Sequence, residues 1–229
     1  MDIAGFVPLT SIDYPGLLAA IIFTGGCNFR CPYCHNPKMI APGSRFYPQQ
    51  DVLKQLEKRT KLIDGVVISG GEPTMQPDLI TFIKQIRDIG LKVKLDTNGS
   101  NPSKLGYLVY NSLVDFVALD IKGPLKRYST ITKSDVNVQD IYTSVASIVK
   151  GNPSVDYELR TAVVPGIISM NDMEEIGNLV QDAKLYVLQQ FRPEVTLDLN
   201  FTRVKPYSME EMEHMAKAVS SKVKKVIIR

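Results

Sequence analysis

The sequence predicts an α/β fold: a partial, open (β/α)6 barrel with parallel strands, one domain over residues 1–229. Three observations predict it. Apolar, β-branched runs of strand length alternate with longer segments of helical period. Polar and glycine-rich clusters recur where the strands end, whereas the helix-to-strand connections are plain. Six such units can be traced, and eight would be needed to close a barrel.

The elements follow in order. Leu18 to Phe23 reads as the first strand and ends at Gly25-Gly26. Pro48 to Thr60 reads as a helix whose apolar stripe is Val52, Leu53 and Leu56, with Pro48 suited to its first turn. Val66 to Ser69 is the second strand. Asp78 to Ile89 is a helix with Leu79, Phe82, Ile83 and Ile86 on one face, stopped by Gly90. Lys92 to Asp96 is the third strand and Ser103 to Tyr110 a short helix; Val114 to Ile121 is the fourth strand and Asp140 to Val149 its helix. Val155 to Val164, Asp172 to Asp182, Leu185 to Phe191 and Met209 to Val219 complete the six units, and Val223 to Ile228 is a last short strand or a frayed tail. Right-handed crossovers then give a parallel sheet with helices outside. Chemistry in such sheets gathers at the C-terminal ends of strands.

The composition narrows the function classes. A chain 44% hydrophobic and 22% charged has the make-up of a soluble globular protein. Its net charge of +3, from 27 basic and 24 acidic residues, is too mild to point to nucleic acid or a membrane surface. The start, Met1-Asp2-Ile3-Ala4-Gly5, lacks the basic patch and apolar run of a signal peptide, and no apolar stretch approaches the ~18 residues of a membrane span. A cytoplasmic location is expected. An odd number of cysteines in such a chain points to metal or redox chemistry rather than disulfides.

All three cysteines lie in one loop after the first strand, Cys27-Asn28-Phe29-Arg30-Cys31-Pro32-Tyr33-Cys34. Three thiolates hold three corners of a metal site and leave the fourth open, the arrangement of a catalytic centre. Three rivals compete. Cys31-Pro32-Tyr33-Cys34 has the look of a dithiol redox site, but such a site opens a helix, and His35-Asn36-Pro37 and Ala41-Pro42-Gly43 oppose one. Cys31 to His35 matches a haem-attachment pattern, which leaves Cys27 idle. Structural zinc would need both Cys34 and its neighbour His35 on one ion.

The other strand ends carry weaker signals. Gly70-Gly71-Glu72-Pro73 is by itself a tight turn; at a strand end its bare backbone also admits a ligand's polar end, and Glu72 is an acceptor for an ammonium group. Asp96-Thr97-Asn98-Gly99 reads as an Asx-type turn or as acceptors for ribose hydroxyls or a cation. Asp120 and Lys122 share one side of the fourth strand, as a local salt bridge or as functional groups. Arg160 interrupts an apolar strand and must be paired if it faces the barrel. His214 reads as a solvated helix residue, and Lys222, Lys224 and Lys225 as an exposed face.

The C-x3-C-x2-C loop, with an aromatic before its third cysteine, resembles the radical S-adenosylmethionine enzymes. The run Gly5-Phe6, Ile12-Asp13-Tyr14-Pro15-Gly16 and Phe23 through Pro37 resembles the activating enzymes of glycyl radical proteins. It is most similar to the longer form of the anaerobic ribonucleoside-triphosphate reductase activators, and also similar to those of pyruvate formate-lyase. The resemblance implies one [4Fe-4S] cluster on Cys27, Cys31 and Cys34, with its fourth iron chelated by S-adenosylmethionine. It implies that Tyr33 packs near the adenine and that Gly70, Gly71 and Glu72 receive the methionyl ammonium. Asp96, Thr97, Asp120 and Lys122 match positions that hold the ribose, the methionyl carboxylate or a nearby monovalent cation, and Val163 to Gly166 would pass close to the adenine. The implied reaction is reductive cleavage of the cofactor to a 5′-deoxyadenosyl radical, which takes a hydrogen atom from a glycine of a partner enzyme. Pyruvate formate-lyase activators place a histidine after the sixth strand, where this chain has Arg192, so the resemblance favours the reductase as partner. With no spare cysteine, the chain is expected to draw electrons from an external donor such as ferredoxin or flavodoxin.

Overall fold

A computed structural model describes residues 1–41 and 47–229. Pro42 and Gly43, invoked above against a long helix, lie outside the described residues. Ahead of them, the chain after the cysteines forms only a short 3-10 turn, Pro37–Met39.

Among the described residues one sheet holds eight strands in chain order: β1 (Ile3–Thr10), β2 (Ala19–Thr24), β3 (Gly65–Gly70), β4 (Lys92–Thr97), β5 (Phe116–Asp120), β6 (Asp156–Val163), β7 (Tyr186–Gln190) and β8 (Val226–Ile228). The six strands read from the sequence are β2 to β7, and every neighbouring pair among them is parallel. Chain order without a switch point means that each crossover advances the same way, which curls the sheet toward a barrel rather than winding it doubly. The edges, β1 and β8, are not neighbours, so the barrel stays open.

The structure adds two strands to the six units. The C-terminal segment is no frayed tail: β8 pairs parallel with β7. β1 pairs antiparallel with β2, with irregular register between Ile3 and Gly5 and between Val7 and Thr10. Gly5 and Pro8 interrupt its alternation, so only the tertiary partner reveals it as a strand.

Seven α-helices accompany the described strands: α1 (Gln49–Glu57), α2 (Leu79–Asp88), α3 (Pro102–Tyr110), α4 (Tyr128–Thr132), α5 (Val138–Val149), α6 (Met173–Leu179) and α7 (Met209–Val219). Their starts follow local chemistry. The side chain of Asn101 accepts from the Lys104 amide ahead of Pro102, and Ser208 with Glu211 forms a capping box on α7. The sequence pattern does not reveal α4, which is five residues rich in hydroxyl and β-branched side chains and ends on Lys133 in a left-handed conformation.

Each strand puts alternate residues on opposite faces. Ile22, Ile68, Leu95, Leu119 and Leu188 face the helices and join Leu79, Phe82, Ile83 and Ile86 of α2 in the main core. A smaller inner cluster, Tyr14, Ala19, Ile21 and Val67 with Phe116 packed against it, closes one end of the barrel interior. Beyond it the inner face is polar: Lys94 and Asp96 on β4, Asp120 on β5, and Glu158 and Arg160 on β6. Among the described residues no helix is long and apolar enough to cross a membrane.

Phe82 is fully buried in the main core. Phe82→Ala should lower the unfolding free energy by about 3–5 kcal/mol, whereas the exposed Tyr110→Ala should change it by less than about 0.5 kcal/mol. Urea unfolding followed by circular dichroism measures both.

Candidate active site

The cysteine loop is pinned from every side by backbone hydrogen bonds. Gly26 N donates to Met39 O (2.8 Å), Cys27 N to Ile40 O (3.2 Å), and Arg30 N to Thr132 O at the end of α4 (2.8 Å). From the far side of the barrel Asp198 N donates to Pro32 O (2.8 Å), and from the β3 end Glu72 N donates to Gly26 O (2.8 Å).

Gly70 and Gly71 make that last contact possible. Gly70 has φ +108°, and a Cβ there would stand 2.5 Å from Thr24 N; a Cβ on Gly71 would stand 2.0 Å from Gly26 O. The sequence reads these glycines as a tight turn or as room for a ligand's polar end. In the structure the first thing that needs the space is the chain itself, since the β3 end lies flush against the start of the cysteine loop.

Cys27, Cys31 and Cys34 are free thiols lining one cavity of about 410 Å³, together with Gly70, Gly71 and Glu72. Phe29 N approaches Cys27 Sγ and Asn36 N approaches Cys34 Sγ, each at 3.4 Å. Burial pushes all three thiols up, Cys27 to about 11, with the Phe29 amide opposing at Cys27, Lys122 at Cys31 and the Asn36 amide at Cys34. Such thiols become thiolates only against a compensating positive charge, which a metal supplies. Among the described residues no three His, Cys, Asp or Glu side chains gather closely enough to hold a single ion. The thiols instead surround a cavity, as ligands of a cluster with one iron per thiolate do. The donor set therefore fits an iron–sulfur cluster with an open corner. His35, the rival zinc ligand, turns its Nδ1 to Val195 O (3.1 Å) and its ring to Phe191.

Glu72 is fully buried and lines the cavity. Its Oε1 accepts from Thr74 N (3.0 Å), Thr74 Oγ1 (2.5 Å) and Thr97 Oγ1 (2.7 Å), and its Oε2 from Asn98 N (2.7 Å). Burial raises its pKa, against the four hydrogen bonds from Thr74, Asn98 and Thr97. The carboxylate thus ties the β3 turn to the β4 turn, a bracing task that the sequence does not disclose. Thr97, 3% exposed, spends its hydroxyl on the same bond. Asn98 goes unselected by its turn motif, yet it lines the cavity: Ser100 N donates to its Oδ1 in the expected Asx turn, while its Nδ2 donates to Asn28 Oδ1 (2.9 Å) and lies 4.0 Å from Cys27 Sγ.

Asp96, Asp120, Lys122 and Arg160 meet on the inner face of the same cavity. Arg160 Nε donates to Asp120 Oδ1 (2.7 Å), and its Nη2 lies 3.7 Å from Asp96 Oδ2. Lys122 Nζ donates to Asp120 Oδ2 (3.0 Å). Burial disfavours the charged Asp120, but Arg160 and Lys122 outweigh it and hold its carboxyl well below the usual carboxylate range. Arg160 is paired, as its inward placement requires. Ser69 and Gln189 also line the cavity, and neither carries a sequence signal beyond its place near a strand end.

Tyr33 is buried and lines the cavity. Ala162 does so rather than Val163 or Val164, which are buried in the main core. Arg192 is exposed and outside the cavity lining, and His214 is exposed on α7.

Comparison with known proteins bears on this arrangement. Residues 21–182 match the model of the Radical SAM superfamily. A Methanocaldococcus jannaschii protein provisionally named a glycyl-radical enzyme activating enzyme is 34% identical over 99% of this chain and 95% of its own length. The pyruvate formate-lyase-activating enzyme of Clostridium pasteurianum is 28% identical over 94% of this chain and 92% of its own. Among solved structures, Streptococcus suis SuiB superposes with a TM-score of 0.68 at 15% identity, over 91% of this chain and 48% of SuiB. TYW1 with a lysine-pyruvate adduct bound gives 0.60 at 12% identity, over 90% of this chain and 74% of its own. At such identities these two show the fold alone.

Removing the Glu72 carboxylate leaves four donor contacts in a buried turn without their acceptor. Glu72→Ala should therefore cost at least ~2 kcal/mol of stability, and Glu72→Gln, which keeps an acceptor oxygen, should cost less. His214→Ala should cost less than about 0.5 kcal/mol. Thermal melts of the three variants give the ranking.

Proposed function

Because this chain belongs to the radical S-adenosylmethionine superfamily and, within it, to the glycyl-radical-enzyme activating enzymes, we propose that it installs a glycyl radical on an anaerobic ribonucleoside-triphosphate reductase. The observation that carries the chemistry is one cavity lined by all three cysteines and by the ends of β3, β4 and β5. Cys27, Cys31 and Cys34 would hold a [4Fe-4S] cluster, and S-adenosylmethionine would bind beside it in the same cavity. When bound, the two groups supply the electron and the sulfonium C–S bond whose cleavage yields methionine and a 5′-deoxyadenosyl radical.

The chain's own residues bind and orient. Gly70, Gly71 and Glu72 form the turn that receives the methionyl ammonium, and Tyr33 packs near the adenine. Asp96, Thr97, Asp120 and Lys122 take the ribose and the methionyl carboxylate. The buried wall of Cys31 and Tyr33 keeps water from the cluster side of the cavity, where a stray radical would be quenched. A glycine loop of the partner must come within contact range of the cavity, and a sheet whose edges do not meet leaves room for one. All three thiols belong to one cluster, so electrons come from an external donor such as ferredoxin or flavodoxin, in the reducing cytoplasm.

The choice of reductase is supported by the opening run of the sequence and by Arg192, an exposed cation where pyruvate formate-lyase activators carry histidine. The C. pasteurianum relative favours the second reading, pyruvate formate-lyase as partner.

Protein purified without oxygen should be brown and carry about four irons per chain, the content of one such cluster. Cys27→Ala, Cys31→Ala and Cys34→Ala should each abolish cofactor cleavage. Stoichiometric zinc in colourless folded protein would sink the cluster assignment. Mixed with reductant, S-adenosylmethionine and the reductase of the same organism, the protein should produce a glycyl radical doublet in electron paramagnetic resonance, alongside 5′-deoxyadenosine. A doublet on pyruvate formate-lyase and none on the reductase would select the second reading.

A further inference from the structure

Lys94 is a lysine in the middle of a strand with its side chain 3% exposed. It faces inward, two residues before Asp96 and therefore on the same side of β4. Its Nζ donates to Asp96 Oδ1 at 2.5 Å, and its register partner on β5 is Phe116, whose ring centroid lies 5.9 Å from the ammonium. Burying an ammonium group against an apolar partner is costly, and an apolar residue would fill this place at lower cost. The fold alone does not account for it.

The carboxylates above it explain the charge. Asp96 Oδ1 accepts from Lys94, and Asp96 Oδ2 accepts from Ser69 Oγ (3.1 Å) and faces Arg160. Asp120 Oδ1 accepts from Arg160 and Asp120 Oδ2 from Lys122. Every oxygen of the pair already has a donor. Three cations (Lys94, Lys122, Arg160) face two carboxylates, an excess of one positive charge. Glu158 and Arg229 extend the network by one charge of each sign and leave that excess unchanged. An alkali cation on these carboxylates would have to share oxygens that already accept from a donor, and it would double the excess. The two carboxylates therefore do not fit a further metal cation.

We propose that Lys94 is a positioning residue that supplies, from within the chain, the positive charge beside Asp96 and Asp120, so that S-adenosylmethionine binds here without an alkali cation. The excess charge is then free to meet the cofactor's carboxylate. The inference rests on the placement of S-adenosylmethionine in this cavity.

The test is calorimetric titration of the reconstituted, cluster-loaded protein with S-adenosylmethionine. One buffer holds choline as its only added cation, and the others replace choline by potassium or sodium at equal ionic strength. The wild-type affinity should agree within twofold across buffers; a tenfold or greater gain with potassium or sodium overturns the inference. Lys94→Met should lose at least tenfold in choline and regain most of it with an alkali cation, while Lys94→Arg should stay independent of the salt. If Lys94→Met folds and binds in choline as the wild type does, Lys94 has no such role. If it fails to fold, the wild-type and Lys94→Arg comparison decides. Wild-type protein that binds in no buffer overturns the placement of the cofactor and this inference with it; binding stimulated by alkali cations overturns the inference alone.

Discussion

The site depends on one close approach of backbone to backbone. Where β3 ends, Gly71 lies so near Gly26 that even a methyl group would not fit between them. Glu72 N then donates to Gly26 O, and the Glu72 carboxylate reaches across to Thr97 and Asn98 at the end of β4. Three consecutive strand ends are thereby locked into one rim with the cysteine loop as its lip. A cluster held on thiolates alone could swing with its loop. Here the loop's carbonyls and amides are used by β3, by the chain after the cysteines, by α4 and by the segment after β7. The glycine-rich turn is thus a fixed point of the rim, set by the close approach of two backbones.

The inner face of the open barrel is packed with apolar side chains at one end and with charged ones beyond it. A closed barrel of this type fills its interior with packed apolar side chains. Here only one end is filled that way, by Tyr14, Ile21, Val67 and Phe116. Past that plug the strands turn Asp96, Asp120, Glu158 and Arg160 inward, and their mutual pairing makes burial of so many charges tolerable. The result is a polar cavity over an apolar floor, with the cysteine loop across its mouth. A cofactor with both a charged amino-acid end and a flat aromatic base suits such a space.

α4 illustrates how a small element serves a distant site. It lies in the connection after β5, and its last carbonyl, from Thr132, accepts the Arg30 amide, while the Tyr128 ring meets the edge of Phe29. The Tyr128 hydroxyl accepts from Lys122 N. One short helix thus sets both the cysteine loop and the strand end that carries Lys122.

The sequence by itself determined the alternation of β2 to β7 with helices, the rim of polar strand ends, and the loop that gathers all three cysteines. Each of these is a local property. Strands and helices differ in period, the strands' polar ends are contiguous in the chain, and C-x3-C-x2-C is complete within eight residues. Tertiary structure alone decided what lies far apart in sequence. β1, broken by Gly5 and Pro8, is a strand only because β2 offers it a partner. Glu72 looks like a free acceptor until Thr97 and Asn98, some 25 residues on, are folded against it. Lys94 reads as one more strand lysine, and Arg160 as an arginine of unknown partner, until parallel pairing sets Arg160 beside Asp120 and the strand's period of two places Lys94 under Asp96. Buried charges take their meaning from their partners, and for Glu72 and Arg160 the sheet chose those partners from outside their own segments of chain.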